Sequence, residues 1–132
     1  MGENIFKTKS FNFAVRIVNT YKYLTETKKE FVISKQLIRS GTAVGALYRE
    51  AENAESTSDF IHKLCIARKE CNETLYWLEL LHTTEFINKN EFDSIYADAE
   101  SLIRLLTAII KTTKGIIQKN IPSTEPIPPP TT

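Results

Sequence analysis

The chain has 132 residues, of which 42% are hydrophobic and 25% are charged, the usage of an ordinary globular domain. This length is enough for one compact domain whose core needs neither disulfides nor a metal. The net charge of +1 argues against a polyanion binder that works through bulk charge. There is no membrane-spanning apolar run and no secretory signal in residues 1–10, so we expect a cytoplasmic protein with free thiols at Cys65 and Cys71.

Proline and glycine are distributed as in a helical protein. All 5 prolines lie after residue 121, so no proline interrupts the preceding chain. Beyond Gly2, the only glycines are Gly41, Gly45 and Gly115, too few for the turns of a sheet protein of this size. The sequence therefore predicts an all-α fold.

Four apolar series with steps of three and four residues predict four amphipathic helices. The first follows an N-cap at Ser10 and ends over residues 25–29. The second covers about residues 30–54, and the third about residues 58–83, after hydroxyl and carboxylate caps at residues 56–59. The fourth extends from Phe92 to Ile117. The predicted core positions are Phe11, Ala14, Ile17, Val18, Tyr21 and Leu24; Ile33, Leu37, Ser40, Val44, Leu47, Ala51 and Ala54; Phe60, Leu64, Ala67, Cys71, Thr74, Leu78 and Leu81; and Ile95, Ala99, Leu102, Leu106, Ile109, Thr113 and Ile116.

The connections between these helices are short, which favours helices that fold back on one another. The prediction is an antiparallel up-down-up-down four-helix bundle over residues 1–119. Residues 120–132 contain every proline and predict a disordered, partly polyproline-like tail.

Two glycines fall inside the second predicted helix. Gly41 and Gly45 each cost about 1 kcal/mol relative to alanine, so we expect them to permit close approach of a neighbouring backbone. If the second and third helices form a hairpin, Arg39 lies level with Glu73. The favoured interpretation is a structural ion pair or a subunit contact, with Arg39 paired to Glu70 or Glu73 beside the glycines.

The residues offer no complete catalytic or metal-binding motif. Glu79 and His82 form a Glu-x-x-His step, but the second copy that a di-iron bundle needs is missing. His62 and Cys65 are three residues apart, while Cys71 points to another face, so no four-ligand zinc site closes. Phosphate loops, nucleophile triads and the arginine–histidine signature of small RNA-cleaving bundles are also missing. We expect no enzyme, no cofactor and no metal.

Charge is unevenly distributed along the chain. Residues 1–49 carry nine basic and three acidic groups, whereas residues 50–100 carry four basic and twelve acidic groups. Five cations gather around the first turn and form a candidate phosphate-binding surface, which we call the basic corner. The alternative is a solvated bundle end that complements the acidic segment of a neighbouring subunit. The basic corner consists of Lys22, Lys28, Lys29, Lys35 and Arg39.

The end of the third helix is apolar on almost every face. A helix that is apolar all round is buried all round, yet each helix of a four-helix bundle has an outer face. We therefore expect homo-oligomerisation, with Tyr76, Trp77 and Leu80 covered by another copy.

One set of residues in the second and third predicted helices forms a recognisable pattern, whose most specific part is its Tyr-Trp-Leu end. The set consists of Gln36–Thr42, Gly45, Ala46, Glu50, Ala51, Ser56, Asp59–Ile61, Lys63, Leu64, Ile66, Ala67, Lys69, Glu70, Glu73, Thr74 and Tyr76–Leu78. In these residues the sequence resembles the bacterial four-helix-bundle proteins encoded in intervening sequences of 23S ribosomal RNA genes. The similarity extends in weaker form over residues 9–114.

This resemblance implies a homopentameric, barrel-like assembly of antiparallel bundles without known enzymatic activity. The same family includes the accessory variability determinant of diversity-generating retroelements, which binds a reverse transcriptase and nucleic acid. The chain departs from the pattern at Ala43 and Leu47, where many relatives have serine and asparagine. Its near-neutral charge favours the ribosomal-gene branch, because the retroelement protein is strongly basic.

Two functions remain open from the sequence. The first is a non-enzymatic, homo-oligomeric bundle that binds RNA or an RNA-handling protein such as a reverse transcriptase. The alternative is a protein-binding scaffold without direct nucleic-acid contact.

Overall fold

The computed structural model describes the backbone of residues 2–119 and the side chains of residues 5–117. It contains four helices, α1 (Gly2–Glu26), α2 (Ile33–Glu52), α3 (Thr57–Thr83) and α4 (Lys89–Lys119). Each helix packs against its neighbours in the chain, and α1 also packs against α4, so that α1 and α3, like α2 and α4, lie diagonally across the bundle. The predicted all-α up-down bundle is confirmed. The tail predicted for residues 120–132 lies outside the described part.

The antiparallel order places two turns together. Residues 27–32 join α1 to α2, and residues 84–88 join α3 to α4, at what we call the two-turn end of the bundle. The turn at residues 53–56 lies at the opposite end, near the start of α1 and the end of α4. None of the described helices is both long enough and apolar enough to cross a membrane.

A continuous apolar core runs along the bundle, and most predicted core positions belong to it. Every predicted position from Leu64 to Leu81 on α3 is buried. The buried apolar residues are Phe6, Phe13, Ile17 and Leu24 of α1; Leu37, Val44, Tyr48 and Ala51 of α2; Leu64, Ala67, Cys71, Leu75, Leu78 and Leu81 of α3; Ile87 of the last turn; and Ile95, Ala99, Leu102, Leu106 and Ile110 of α4.

The predicted core stripe is wrong at two positions. Phe11, in the middle of α1, is 56% exposed, and Ile116, near the end of α4, is 55% exposed. On α4 the buried stripe passes from Leu106 to Ile110 instead of Ile109. An α-helix drifts by about 20° per heptad against a strict 3.5-residue repeat, so the 3-4 step followed over three heptads of α4 leaves the core.

Ser10 is not a helix cap. α1 begins at Gly2, and Ser10 lies buried within it, with its hydroxyl donating to the Lys7 carbonyl oxygen at 3.2 Å. A methyl group at Gly45 would come within 3.2 Å of the same hydroxyl oxygen. Serine is favoured at caps, but its hydroxyl also bonds the preceding turn of a helix. Here its small size lets α2 approach α1.

The start of α2 also differs from the prediction. Residues 30–32 belong to the turn, and the Glu30 carboxylate accepts hydrogen bonds from the amides of Val32 (3.1 Å), Ile33 (2.9 Å) and Ser34 (2.6 Å). Burial alone would raise the pKa of Glu30, but these backbone donors outweigh burial and lower the pKa below its ordinary value. Glu30 thus satisfies first-turn amides of α2 from outside the helix.

The glycines of α2 face α1 and not α3. A methyl group at Gly41 would lie 2.8 Å from Cγ1 and 2.9 Å from Cγ2 of Ile17, which belongs to α1. The expected close contact exists, but Gly41 contacts the side chain of Ile17, whereas the sequence predicted contact with a neighbouring backbone. The ion pair of Arg39 therefore lies on a different face of α2 from this contact.

The predicted start of α3 is confirmed. Ser56 is the N-cap, and its hydroxyl oxygen accepts a hydrogen bond from the Asp59 amide at 3.0 Å. Asp59 also lies in the first turn, where a carboxylate is favoured by the helix dipole.

Candidate functional site

The predicted ion pair forms with one of its two candidate partners. Arg39 Nη2 lies 3.4 Å from Glu73 Oε1, and this oxygen also accepts a hydrogen bond from Trp77 Nε1 at 3.2 Å. Arg39 remains 63% exposed, so the pair contributes little to stability. Glu70 is not the partner of Arg39, and its Oε1 is buried without a hydrogen-bond partner among the described residues.

Glu79 and His82 are engaged separately and do not form a joint site. Glu79 accepts a hydrogen bond from the Tyr96 hydroxyl at 2.9 Å. The His82 ring stacks on Phe92 with centroids 4.4 Å apart, and its Nδ1 lies 3.3 Å from the Ile87 carbonyl oxygen. Both residues thereby tie α3 to the last turn and α4.

The cysteines are free thiols in different surroundings. Cys71 is buried, its thiol donates to the Ala99 carbonyl oxygen at 3.4 Å, and burial raises its pKa to about 12. Cys65 is half-buried at a surface groove between α3 and α4. Within residues 5–117, no cluster of three or more histidine, cysteine or acidic side chains is placed to hold a metal ion.

The predicted oligomer surface is only partly exposed. Tyr76 is 58% exposed, whereas Trp77 packs against the core and Leu80 is half-buried. The Tyr76 and Trp77 rings meet edge to face, with centroids 4.9 Å apart. The Trp77 ring is therefore packed and hydrogen-bonded within its own protomer. Of the three predicted interface residues, Tyr76 is the one whose side chain remains exposed for contact with another copy. The interface itself stays a prediction.

The four lysines of the basic corner lie at the two-turn end. Lys22 precedes the last turn of α1, Lys28 and Lys29 lie in the connecting turn, and Lys35 is in the first turn of α2. All four are exposed, and none forms an ion pair with another described residue. Their charges are thus available to a ligand, whereas that of Arg39 is partly neutralised by Glu73.

Exposed aromatic and apolar side chains lie among these lysines, and the sequence reading missed them. Tyr23 is 43% exposed, and Lys28 Nζ lies 6.0 Å from its ring centroid. In the turn itself, Phe31 is 59% exposed and Val32 is 75% exposed. The sequence did carry a signal, two apolar residues directly after Lys28-Lys29-Glu30, but a helix predicted to begin at Glu30 concealed it.

A groove of about 460 Å³ opens beside Tyr23, between α1 and α4. Arg16 of α1 forms ion pairs with two residues of α4 beside the groove, with Asp98 at 2.9 Å and with Glu91 at 3.5 Å. The residues that line the groove are Arg16, Asn19, Thr20, Tyr23, Ile87, Asn88, Glu91 and Ile95.

A second, wider groove of about 700 Å³ lies between α3 and α4, near the opposite end of the bundle. It is also basic, and Arg68 in it donates to the Thr107 hydroxyl at 3.3 Å. Sequence reasoning did not single out this surface, because its cations come from two separate helices. Its lining residues are Ser58, Ile61, His62, Cys65, Arg68, Lys69, Asn72, Ile103 and Lys114.

These observations define the class of the protein as an antiparallel four-helix bundle that carries cations and aromatic rings at its two-turn end. The family model of the 23S rRNA-intervening sequence protein matches residues 3–108, and the chain belongs to this family. The resemblance of the sequence is thereby confirmed at the level of the family.

A solved structure supports the same assignment. The chain is similar to a protein of unknown function from the S23 ribosomal protein family of Bacteroides thetaiotaomicron, with 57% sequence identity and a TM-score of 0.83. The match covers 84% of this chain and 99% of that one. Comparison with curated proteins gives no significant match.

Proposed function

We propose that the protein is a non-enzymatic, homo-oligomeric bundle that binds RNA through the basic corner. The observation that carries this proposal is that four exposed lysines, none of them ion-paired within residues 5–117, lie beside the exposed rings of Tyr23 and Phe31. Lysines contact phosphates in any sequence, while aromatic faces stack on bases that are not paired. The combination favours single-stranded RNA over a duplex, whose bases are stacked inside.

Assembly into a homo-oligomer fits this function. The net charge of one protomer is only +1, because its 17 lysines and arginines are nearly balanced by 16 acidic residues. Repeating the basic corner in each copy raises the affinity for a long RNA, because each further contact is intramolecular. The proposed assembly is the pentamer implied by the family resemblance, and Tyr76 is the exposed aromatic residue proposed for its interface.

The RNA proposal is tested by the salt dependence of binding. We expect the triple variant Lys28→Gln, Lys29→Gly, Lys35→Gln to lower the slope of log affinity against log salt by about 2, since each lost phosphate contact removes about 0.7 for single strands. The measurement is fluorescence anisotropy with a labelled single-stranded RNA. Lys29 has φ of 56°, a conformation that suits glycine, so this change removes a charge without straining the turn.

A matched control removes the same number of cations elsewhere. Lys69, Arg104 and Lys111 are exposed on α3 and α4 and form no ion pair within the described chain. Their triple substitution by glutamine should leave the slope within experimental error. An equal drop in the control, or binding that does not respond to salt, would contradict the assignment of RNA to the basic corner.

The oligomer proposal is tested by light scattering on the purified chain. We expect a mass of five protomers, and a smaller mass after Tyr76→Glu, because a carboxylate placed in an apolar interface is costly to desolvate. Phe11→Glu is the matched control, since Phe11 is 56% exposed against 58% for Tyr76. A monomeric mass for the wild type would contradict the proposed homo-oligomer. Dissociation by Phe11→Glu alone would move the interface to α1.

The second candidate function, a protein-binding scaffold, rests on the same exposed Tyr76 ring. It predicts a co-purifying protein that is lost in a Tyr76→Ala variant, together with unchanged behaviour towards nucleic acid; Trp77→Ala is unsuitable, because Trp77 packs against the core of the protomer. Undetectable RNA binding by the wild type would favour this candidate.

A further inference from the structure

The groove between α1 and α4 has the form of a small-ligand site. Its volume of about 460 Å³ lies in the ordinary range for such pockets. Ile87 and Ile95 form an apolar floor, being only 7% and 2% exposed. The Tyr23 side chain lines it at the two-turn end and is 43% exposed. A flat ring entering here would meet the apolar side chains of Ile87 and Ile95 and the aromatic ring of Tyr23.

The polar groups of the groove suit a neutral ligand with hydrogen-bonding edges. Asn19 is exposed, and its amide makes no hydrogen bond with the part of the chain that the structure describes. Asn88 Oδ1 accepts from the Glu91 amide at 2.8 Å, which leaves its amide nitrogen free to donate. The one cation of the groove, Arg16, is already paired with Asp98 and Glu91. The groove is therefore poorly suited to a phosphate.

The cations that can contact a phosphate belong to the basic corner, which adjoins the groove at Tyr23. Lys28, a member of the basic corner, lies with its Nζ 6.0 Å from the Tyr23 ring centroid. Tyr23 thus belongs both to the groove and to the cationic surface. A nucleotide placed at this junction has its phosphate near the lysines and its base directed into the groove.

We propose that the α1–α4 groove receives one unstacked base of a single-stranded RNA whose phosphates lie on the basic corner. This inference rests on the proposed function and adds to it a preference for unpaired bases. Tyr23 supplies the stacking face, while Asn19 and Asn88 offer donors and acceptors to the edge of the base. A base held in a duplex does not reach the groove.

The test compares single-stranded RNA with a duplex of equal length in the double variant Asn19→Ala, Tyr23→Ala. Stacking on an aromatic side chain accounts for about 5- to 150-fold in affinity per base, so we expect a loss in this range for the single strand. Duplex affinity should change by less than about twofold, and the salt slope should stay as in the wild type, because no phosphate contact is removed. Tyr23→Phe, which keeps the ring, should retain most of the single-strand affinity.

The control is the double variant Phe11→Ala, Asn12→Ala. It removes an exposed aromatic residue and an exposed asparagine from the same helix, outside the groove, and should leave both affinities unchanged. An equal loss for single strand and duplex, or no loss for either, would overturn the base-binding groove while salt-dependent RNA binding stands. A wild type that binds no RNA would overturn the proposed function and the groove together.

Discussion

Alanine at position 41 should destabilise the protein by up to about 2 kcal/mol, although alanine is a better helix former than glycine. The gain in helix propensity is about 1 kcal/mol. Against it, the new methyl group would lie 2.8 Å from Ile17 Cγ1 and 3.0 Å from Ile17 Cδ1, in a buried contact. Overpacking of this kind costs about 1–3 kcal/mol, because a core side chain must leave its rotamer or the helices must separate. Urea denaturation of the purified variant measures the net effect.

Two controls accompany this variant, one at Gly115 and one in a background that lacks the Ile17 side chain. At Gly115 an added methyl group meets nothing within 4 Å, so Gly115→Ala should stabilise the protein by up to about 1 kcal/mol. In a background of Ile17→Ala, which removes the atoms that clash, Gly41→Ala should no longer destabilise. A stabilising Gly41→Ala in the wild-type background would show that α1 and α2 are not as close as described.

The Glu30→Gln variant should lose about 2–3 kcal/mol of stability at neutral pH. Three backbone amides donate to the Glu30 carboxylate at 2.6–3.1 Å, and hydrogen bonds to a charged acceptor contribute more than those to a neutral one. The pKa of Glu30 is lowered in the folded state, so its ionised form stabilises the fold above the ordinary value of 4.5. This contribution is lost as the pH falls below 4.5 and through the lowered folded-state pKa.

The measurement is the difference in unfolding free energy between wild type and Glu30→Gln at several pH values. The difference should be constant at neutral pH and should shrink on acidification. The control is Glu26→Gln, an exposed substitution at the last residue of α1, which should have little effect on the free energy of unfolding. A difference that does not depend on pH would mean that the carboxylate charge does not cap α2.

The cap at Glu30 also links stability to the proposed function. The same turn presents Lys28, Lys29 and Phe31, and its backbone is held at both sides of Glu30. The Glu30 amide donates to the Leu24 carbonyl oxygen at 2.8 Å, while its carboxylate holds the first amides of α2. Loss of this cap frees the turn, so the lysines and the aromatic ring would no longer share one defined surface.

The parts of the fold that could be predicted depend on local signals. The core stripe of α3 and its Ser56 cap are both recorded in neighbouring residues, and both are confirmed. Ser10 and Gly41 show the limit, because the sequence does not say which helix will lie against a small residue. Ser10 fits a cap or a close helix contact equally well, and only the pairing of α1 with α2 decides between them.

The candidate site divides in the same way. The lysines of the basic corner are visible as a local excess of charge, and the structure places them together at the two-turn end. The exposed rings of Tyr23 and Phe31 are not singled out by the sequence, since neither lies on a predicted core stripe and Phe31 falls inside the helix predicted to begin at Glu30. The groove beside Tyr23 is not visible in sequence at all, because its walls come from α1 and α4 and the turn between α3 and α4.

Hydrogen–deuterium exchange with and without single-stranded RNA tests the central claim, that RNA contacts the two-turn end, most directly. The account predicts slower amide exchange over residues 19–35 and at the start of α4 when RNA is bound. Slower exchange confined to the groove around Arg68 and Lys69, or no change in any segment at saturating RNA, would contradict it.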